Sequence, residues 1–151
     1  MEAPDVKSQI QSVEVTYLVH ATEDPGKLET GVSLLLGTGA SPSSESLVGH
    51  FGNEITRVRI HITGNEAESA VRRVFAALPG EVSREISSDL GSFLDEHSAL
   101  FLRFDKQLLV QGRLALGSGD PVRMKVKPRL FQARTAGKGL FLHLLEKCRA
   151  G

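Results

Sequence analysis

Arg123, Lys125, Lys127 and Arg129 recur at every second position of the stretch from Asp120 to Arg129. Successive side chains of an extended strand point to opposite faces. The four cations would therefore share one face, and Val122, Met124 and Val126 the other. A second stretch, Thr56 to Thr63, repeats the pattern, with Val58, Ile60 and Ile62 alternating against Arg57, Arg59 and His61. Rows of like charge are costly unless an anion lies against them, so the chemistry these residues offer is the binding of a polyanion. Each cation brought to a phosphate releases counterions, and several together bind strongly and with steep salt dependence. Lys106 and Arg113 extend the basic set.

Other groupings are weaker candidates. The five histidines (His20, His50, His61, His97 and His143) are scattered, and no two stand four residues apart as metal-binding pairs on a helix do. His20 with Glu23 and Asp24 could hold a metal, but a strand end followed by a helix N-cap accounts for them more simply. Asp105, Lys106 and Asp120 could be written as an acid–base site, although nothing brings a nucleophile to them. A salt-bridged strand end is the preferred reading. Cys148 falls on an apolar helical stripe and reads as packing. No catalytic residue, metal or cofactor is expected. His50, Phe51, Gly52 and Asn53, ahead of the basic strand, carry two readings. One is a loop that stacks on a base or approaches a backbone closely; the other is a turn with left-handed residues. Gly37-Thr38-Gly39 has no following Lys and lacks the rest of a phosphate-loop fingerprint, so it reads as linker.

The totals set the frame. The 151 residues suit one domain with its own core about residues 10–130. Hydrophobic content of 40% and charged content of 24% are ordinary for a globular protein. The lone cysteine excludes an intrachain disulfide or cysteine-based zinc cluster. With no signal-peptide pattern at Met1–Asp5 and no apolar run near the ~20 residues that span a bilayer, a cytoplasmic setting is expected. The net charge of zero conceals an asymmetry. Residues 1–50 balance at −5, residues 51–100 at −3, and residues 101–151, with eleven basic and three acidic residues, at +8. Such polarity points to a nucleic-acid contact. Aromatics are few, with no Trp, one Tyr and seven Phe. A single-strand binder needs stacking platforms, so the shortage favours structured or double-stranded RNA met through backbone and shape.

The elements that position these residues follow from periodicity. A strand is expected from Ile10 to His20, then a helix capped by Asp24 with Pro25 at its first position and ended by Gly37. Residues 37–49 read as loop. After the basic strand, helices are expected from Gly64 to Leu78 and from about Glu81 to Asp95. A hairpin of two strands, Ser98–Asp105 and Leu108–Leu116, leads through Gly117-Ser118-Gly119-Asp120 into the basic strand. Residues 131–139 read as a basic linker, and Leu140, Phe141, Leu144, Leu145 and Cys148 as a short terminal helix. The predicted class is α+β, an antiparallel-rich sheet with helices packed on one face. The charged residues then collect on the other.

Four stretches appear in an order that resembles a known family. They are Val15 to Asp24, Gly49 to Asn53, Arg103 to Gln107 with Gly112, and Val122 to Lys127. Together they are similar to an archaeal family described as RNA-binding proteins or predicted exosome subunits, with a fold similar to the ribosomal protein that binds 5S rRNA. The resemblance covers roughly residues 12–129. It implies an α+β fold, an archaeal cytoplasmic setting and RNA as ligand, and it supplies no catalytic residues. The 38–48 loop and the chain after Arg129 depart from the pattern.

The sequence therefore predicts a non-catalytic RNA-binding protein in RNA processing or ribosome-associated work. Arg57, Arg59, Lys106, Arg113, Arg123, Lys125, Lys127 and Arg129 would meet phosphates, and His50, Phe51 and Asn53 bases or ribose. The rival expectation is a protein-interaction subunit of an RNA-processing complex, docking through the apolar stripe of its terminal helix. A hydrolase using Asp105 and Asp120 ranks third.

Overall fold

In the computed structural model the described residues are 9–37, 42–49, 51–129 and 134–150, with the side chains of 137–148 in the last segment. The long strand β1 (Ile10–His20) buries Val13, Val15, Tyr17 and Val19 on one face. Ile10 is buried too, out of phase with them, because the pairing register slips between Ile10 and Ser12. A bulge of this kind moves one residue to the other side of the pleat. Helix α1 (Pro25–Leu36) begins as its sequence dictates: Asp24 Oδ1 accepts from Gly26 N at 2.9 Å and Lys27 N at 3.4 Å. It ends at Gly37, left-handed at φ 68°, whose N–H donates to the Ser33 carbonyl at 2.8 Å. Arg73 closes over this end, its Nε donating to the Leu34 carbonyl at 3.2 Å.

Residues 43–48, read as loop, form an edge strand β2 (Ser43–Val48). Among the described residues it pairs only with β3 (Glu54–Thr63), from Ser43 opposite Arg59 to Val48 opposite Glu54. Its side chains are almost all exposed, so no apolar alternation marks it; its pairing with β3 makes it a strand. Helix α2 (Gly64–Ala77) follows, then α3 (Gly80–Ser88). The single helix expected to Asp95 stops early and continues as a 3-10 turn at Leu90–Phe93. Ser87 and Ser88 hydroxyls donate back to the carbonyls of Ser83 and Glu85. Such bonds compete with the helical ladder.

The predicted hairpin is half right. Strand β4 (Leu100–Phe104) forms, but residues 106–110 are a short helix α4 (Lys106–Val110) rather than a strand. Asp105 caps it, Oδ1 accepting from Leu108 N at 2.9 Å, and Gly112 turns the chain at φ 81°. A short apolar run cannot be assigned to helix or strand by periodicity alone; the cap decides. Strand β4 pairs along its length with β5 (Val122–Pro128), and its end keeps one bridge of the expected hairpin, Phe104 with Leu116. Helix α5 (Arg134–Ala150) starts six residues before the expected Leu140.

Among the described residues the sheet has five strands in the order β2-β3-β1-β5-β4, every neighbouring pair antiparallel. All helices pack on one face, as the α+β reading requires: α2 lies on β1, flanked by α1 and α5, with α3 against α5 and α4 against α1. The core joins the inward rows of the central strands to Leu28 and Val32, Val71 and Phe75, and Phe141, Leu144 and Leu145. Full burial of such side chains contributes about 1.5–3 kcal/mol each, so the helix layer fixes which sheet face stays open.

Candidate nucleic-acid interface

The open face is set by register. Thr16 of β1 stands opposite Arg59 on one side and Arg123 on the other, and Arg123 stands opposite Arg103 of β4. One transverse row therefore reads Arg59, Thr16, Arg123, Arg103. In the next row Glu14 lies between His61 and Lys125, and Lys125 stands opposite Phe101. Arg57 pairs with Leu18, and Lys127 with Ser12. The two basic strands flank β1 and present their cations on the same side, as their period of two implies. Arg59, Arg103, Arg123 and Lys127 are exposed and Arg57 and Lys125 partly so. Lys125 Nζ lies 5.5 Å from the centroid of the Phe101 ring, within cation–π range.

Two of these cations have carboxylate partners on the face. Arg57 donates to Glu45 Oε1 through Nη2 at 2.7 Å, and Arg59 Nε lies 3.8 Å from Glu14 Oε2. Arg103, Arg123 and Lys127 make no ion pair among the described residues. The face dips into a trough of about 470 Å³ lined by Thr16, Leu18, Arg57, Arg59, Phe101, Arg103 and Arg123, together with Asp120 and Pro121. Arg103 and Phe101 were not among the expected contacts. Both alternate with buried Leu100, Leu102 and Phe104 and so carried the same period-two signal.

Lys106 is a correction. It is only 4% exposed and cannot belong to the open face. Its ammonium donates to the Leu18 carbonyl at 2.7 Å, to Glu23 Oε1 and Oε2 at 3.1 and 3.2 Å, and to Asp120 Oδ2. Asp120 also meets His20 Nε2 at 3.0 Å, and Glu23 Oε1 accepts from the His20 backbone N–H at 2.8 Å. His20, Glu23 and Asp120 each offer a ligand atom within 4.8 Å of the others. The cation they surround is Lys106 itself, which ties the end of β1 to the start of α4 and the loop before β5. The salt-bridged strand end expected here is thus present, with Lys106 and Asp120 paired and Asp105 serving as a cap.

Arg113 is exposed in the loop after α4, and its neighbours Leu109, Val110, Gly112 and Leu114 line a cleft against α1. Arg129 follows β5, its backbone N–H donating to the Gln9 carbonyl at 2.9 Å. The β2–β3 connection is a tight turn in which Gly49 N donates to the Asn53 carbonyl at 2.7 Å and Gly52 takes φ 82°. Among the described residues of this turn Gly52 alone is left-handed, and Asn53, expected to be so too, is not; Phe51 is 91% exposed. His50 lies outside the described residues.

Two ionisable groups are shifted, Tyr17 on the core side of β1 and Asp95 ahead of β4. Burial, with Glu29 nearby, pushes the Tyr17 phenol up to about 12. Desolvation raises the Asp95 carboxyl, but backbone N–H donation from Ala99 and His97, with the charges of His97 and Lys125, outweighs it and holds the carboxyl below its ordinary value. Among the described residues no helix is long and apolar enough to cross a membrane.

An antiparallel sheet with one helix-covered face and one arginine-lined face has the charge pattern that a polyanion would complement. Residues 12–128 match the family described as RNA binding, and the chain belongs to that family. It is 29% identical over 135 residues to the RNA-binding protein PAB1135 of Pyrococcus abyssi, covering 83% of this chain and 86% of that one. Among solved structures it is similar to Mth689 of Methanothermobacter thermautotrophicus (TM-score 0.75, 29% identity, 91% of this chain and 99% of that one). It is also similar to protein AF2318 of Archaeglobus fulgidus (TM-score 0.76, 28% identity, 89% and 99%). The relatives named are archaeal, as the sequence resemblance implied.

Proposed function

We propose that this protein is a non-catalytic RNA-binding module that meets a structured RNA through the open face of its sheet, in RNA processing or ribosome-associated work. The observation that carries the reading is the shared face of Arg57, Arg59, Arg103, Arg123, Lys125 and Lys127 on three different strands. Family membership and the printed name of the Pyrococcus relative support it. Arginines and lysines on a rigid sheet can follow a phosphate backbone without reading sequence. Phe51 and Asn53 at the tip of the β2–β3 turn extend the contact toward bases or ribose. Asp105 caps a helix and Asp120 pairs with Lys106 and His20, contacts that give each carboxylate a structural role.

Filter binding of a folded RNA over a salt series tests the proposal. Affinity should fall with a log–log slope of about −0.7 to −0.9 per phosphate neutralised. The combined change Arg123→Glu, Lys125→Glu and Lys127→Glu should abolish binding while the thermal transition persists. Unchanged affinity in that variant would falsify the assignment.

The rival docking role for the terminal helix has less support. Its stripe of Phe141, Leu144 and Leu145 is buried against α2 and α3, in the protein's own core.

A further inference from the structure

Glu14 is the one residue of the central strand whose charge opposes the face it sits on. It stands between His61 and Lys125 in its row and beside the Arg59–Thr16–Arg123–Arg103 row. Its side chain is 39% exposed and lines the trough. The Arg59 contact, at 3.8 Å, is too long for a hydrogen bond. Neither carboxylate oxygen accepts a hydrogen bond among the described residues. A phosphate carries no donor at neutral pH and is repelled by a carboxylate. A base edge does carry donors. Guanine alone among the four RNA bases presents two adjacent donors, N1–H and N2–H, spaced to meet both oxygens of one carboxylate. Adenine and cytosine place a single amino group beside an acceptor, and uracil places one N–H between two carbonyls.

Resting on the RNA-binding reading above, we propose that Glu14 reads one unpaired guanine of the bound RNA, with the flanking phosphate held by Arg103 and Arg123. The guanine must be unpaired because the same two donors are consumed in a Watson–Crick pair. This places a loop, bulge or end of a folded RNA in the trough, where bases are free to be read. The trough's volume of about 470 Å³ lies within the range of small-ligand sites, about 300–1,000 Å³. A charge-assisted bidentate contact also distinguishes guanine from inosine, which keeps N1–H but lacks the 2-amino group.

The test is fluorescence anisotropy with the full chain at one fixed salt concentration. The probes are uridine octamers carrying a single central guanosine, adenosine, cytidine or inosine, beside all-uridine. The guanosine oligomer should bind about tenfold more tightly than the others, the scale of one good bidentate base contact, and inosine should lose that margin. Glu14→Gln should erase the guanosine preference while leaving all-uridine affinity equal or higher, since a repulsive charge has been removed. Equal affinities for all five oligomers, or a preference that survives in Glu14→Gln, overturns the proposal. Salt-dependent binding of a folded RNA without binding of any oligomer overturns the guanine site and leaves the RNA-binding reading intact. Binding of neither overturns both.

Discussion

Arg103 and Arg123 stand directly opposite each other on β4 and β5, two guanidinium groups in register with no ion-pair partner for either among the described residues. Like charges placed opposite on neighbouring strands destabilise a sheet by a few tenths of a kcal/mol to about 1 kcal/mol. Burial cannot explain the arrangement, because both are exposed. A phosphate between them would turn repulsion into two charge-assisted contacts.

Arg103→Gln should therefore separate stability from function. The free protein should gain about 0.5 kcal/mol, or about 1–2 °C in thermal midpoint for a chain of this size. RNA affinity should fall about three- to tenfold at low salt, and the salt slope should lose about 0.9 if one phosphate contact is removed. Calorimetry and a salt-series titration of the same preparation check both signs. A loss of stability together with unchanged affinity would count against an anion at this position.

Lys106 predicts the reverse. Breaking a buried ion pair by removing one partner costs about 3–5 kcal/mol. Here the lower end applies, because Asp120 is 41% exposed and can hydrate. Lys106→Met should lower the urea-unfolding free energy by about 3 kcal/mol and leave the RNA affinity of the folded protein within about twofold. Lys127→Met should do the opposite, with stability unchanged within about 0.5 kcal/mol and weaker RNA binding. Denaturant curves and titrations on the two variants distinguish a structural lysine from a binding one.

Tyr17 is the only tyrosine and there is no tryptophan, so its ionisation can be followed without interference. Absorbance at the phenolate band should titrate with a midpoint near 12 in the folded protein, not at the ordinary value of 10.0. The native state holds its proton where the unfolded chain has released it. Stability should therefore be unaffected below pH 10 and fall as pH rises from there toward 12. Tyr17→Phe should remove that alkaline loss. A native titration midpoint near 10 would show that the ring is not held as buried as it stands here.

Much of this arrangement was legible in the chain itself. The period-two alternation in Val13–Val19, Val58–Ile62 and Val122–Val126 located three strands and named their charged faces. Asp24, Pro25 and Gly37 bounded α1 because capping is local chemistry between residues a few positions apart. What escaped had no local signal. Strand β2 is Ser-rich and exposed on nearly every side chain, so only its pairing with β3 makes it a strand. Residues 108–116 carried an apolar pattern compatible with a strand, and the Asp105 cap and the anchoring of Lys106 turned the segment's first half into a helix. Lys106 looked like one more cation for the face, and its burial depends on Glu23 and Asp120, 83 and 14 residues away.

By itself the sequence determined the class of fold, the inward and outward sides of its main strands and the polarity of its charge, because these follow from alternation and capping between near neighbours. Tertiary structure decided which cations are neighbours. The strand order sets β1 between the two basic strands and brings Arg103 beside Arg123, and the helix layer leaves that face open while Lys106 is drawn beneath it. Those relationships arise from pairing across long stretches of chain, where register is set by the burial of the opposite face.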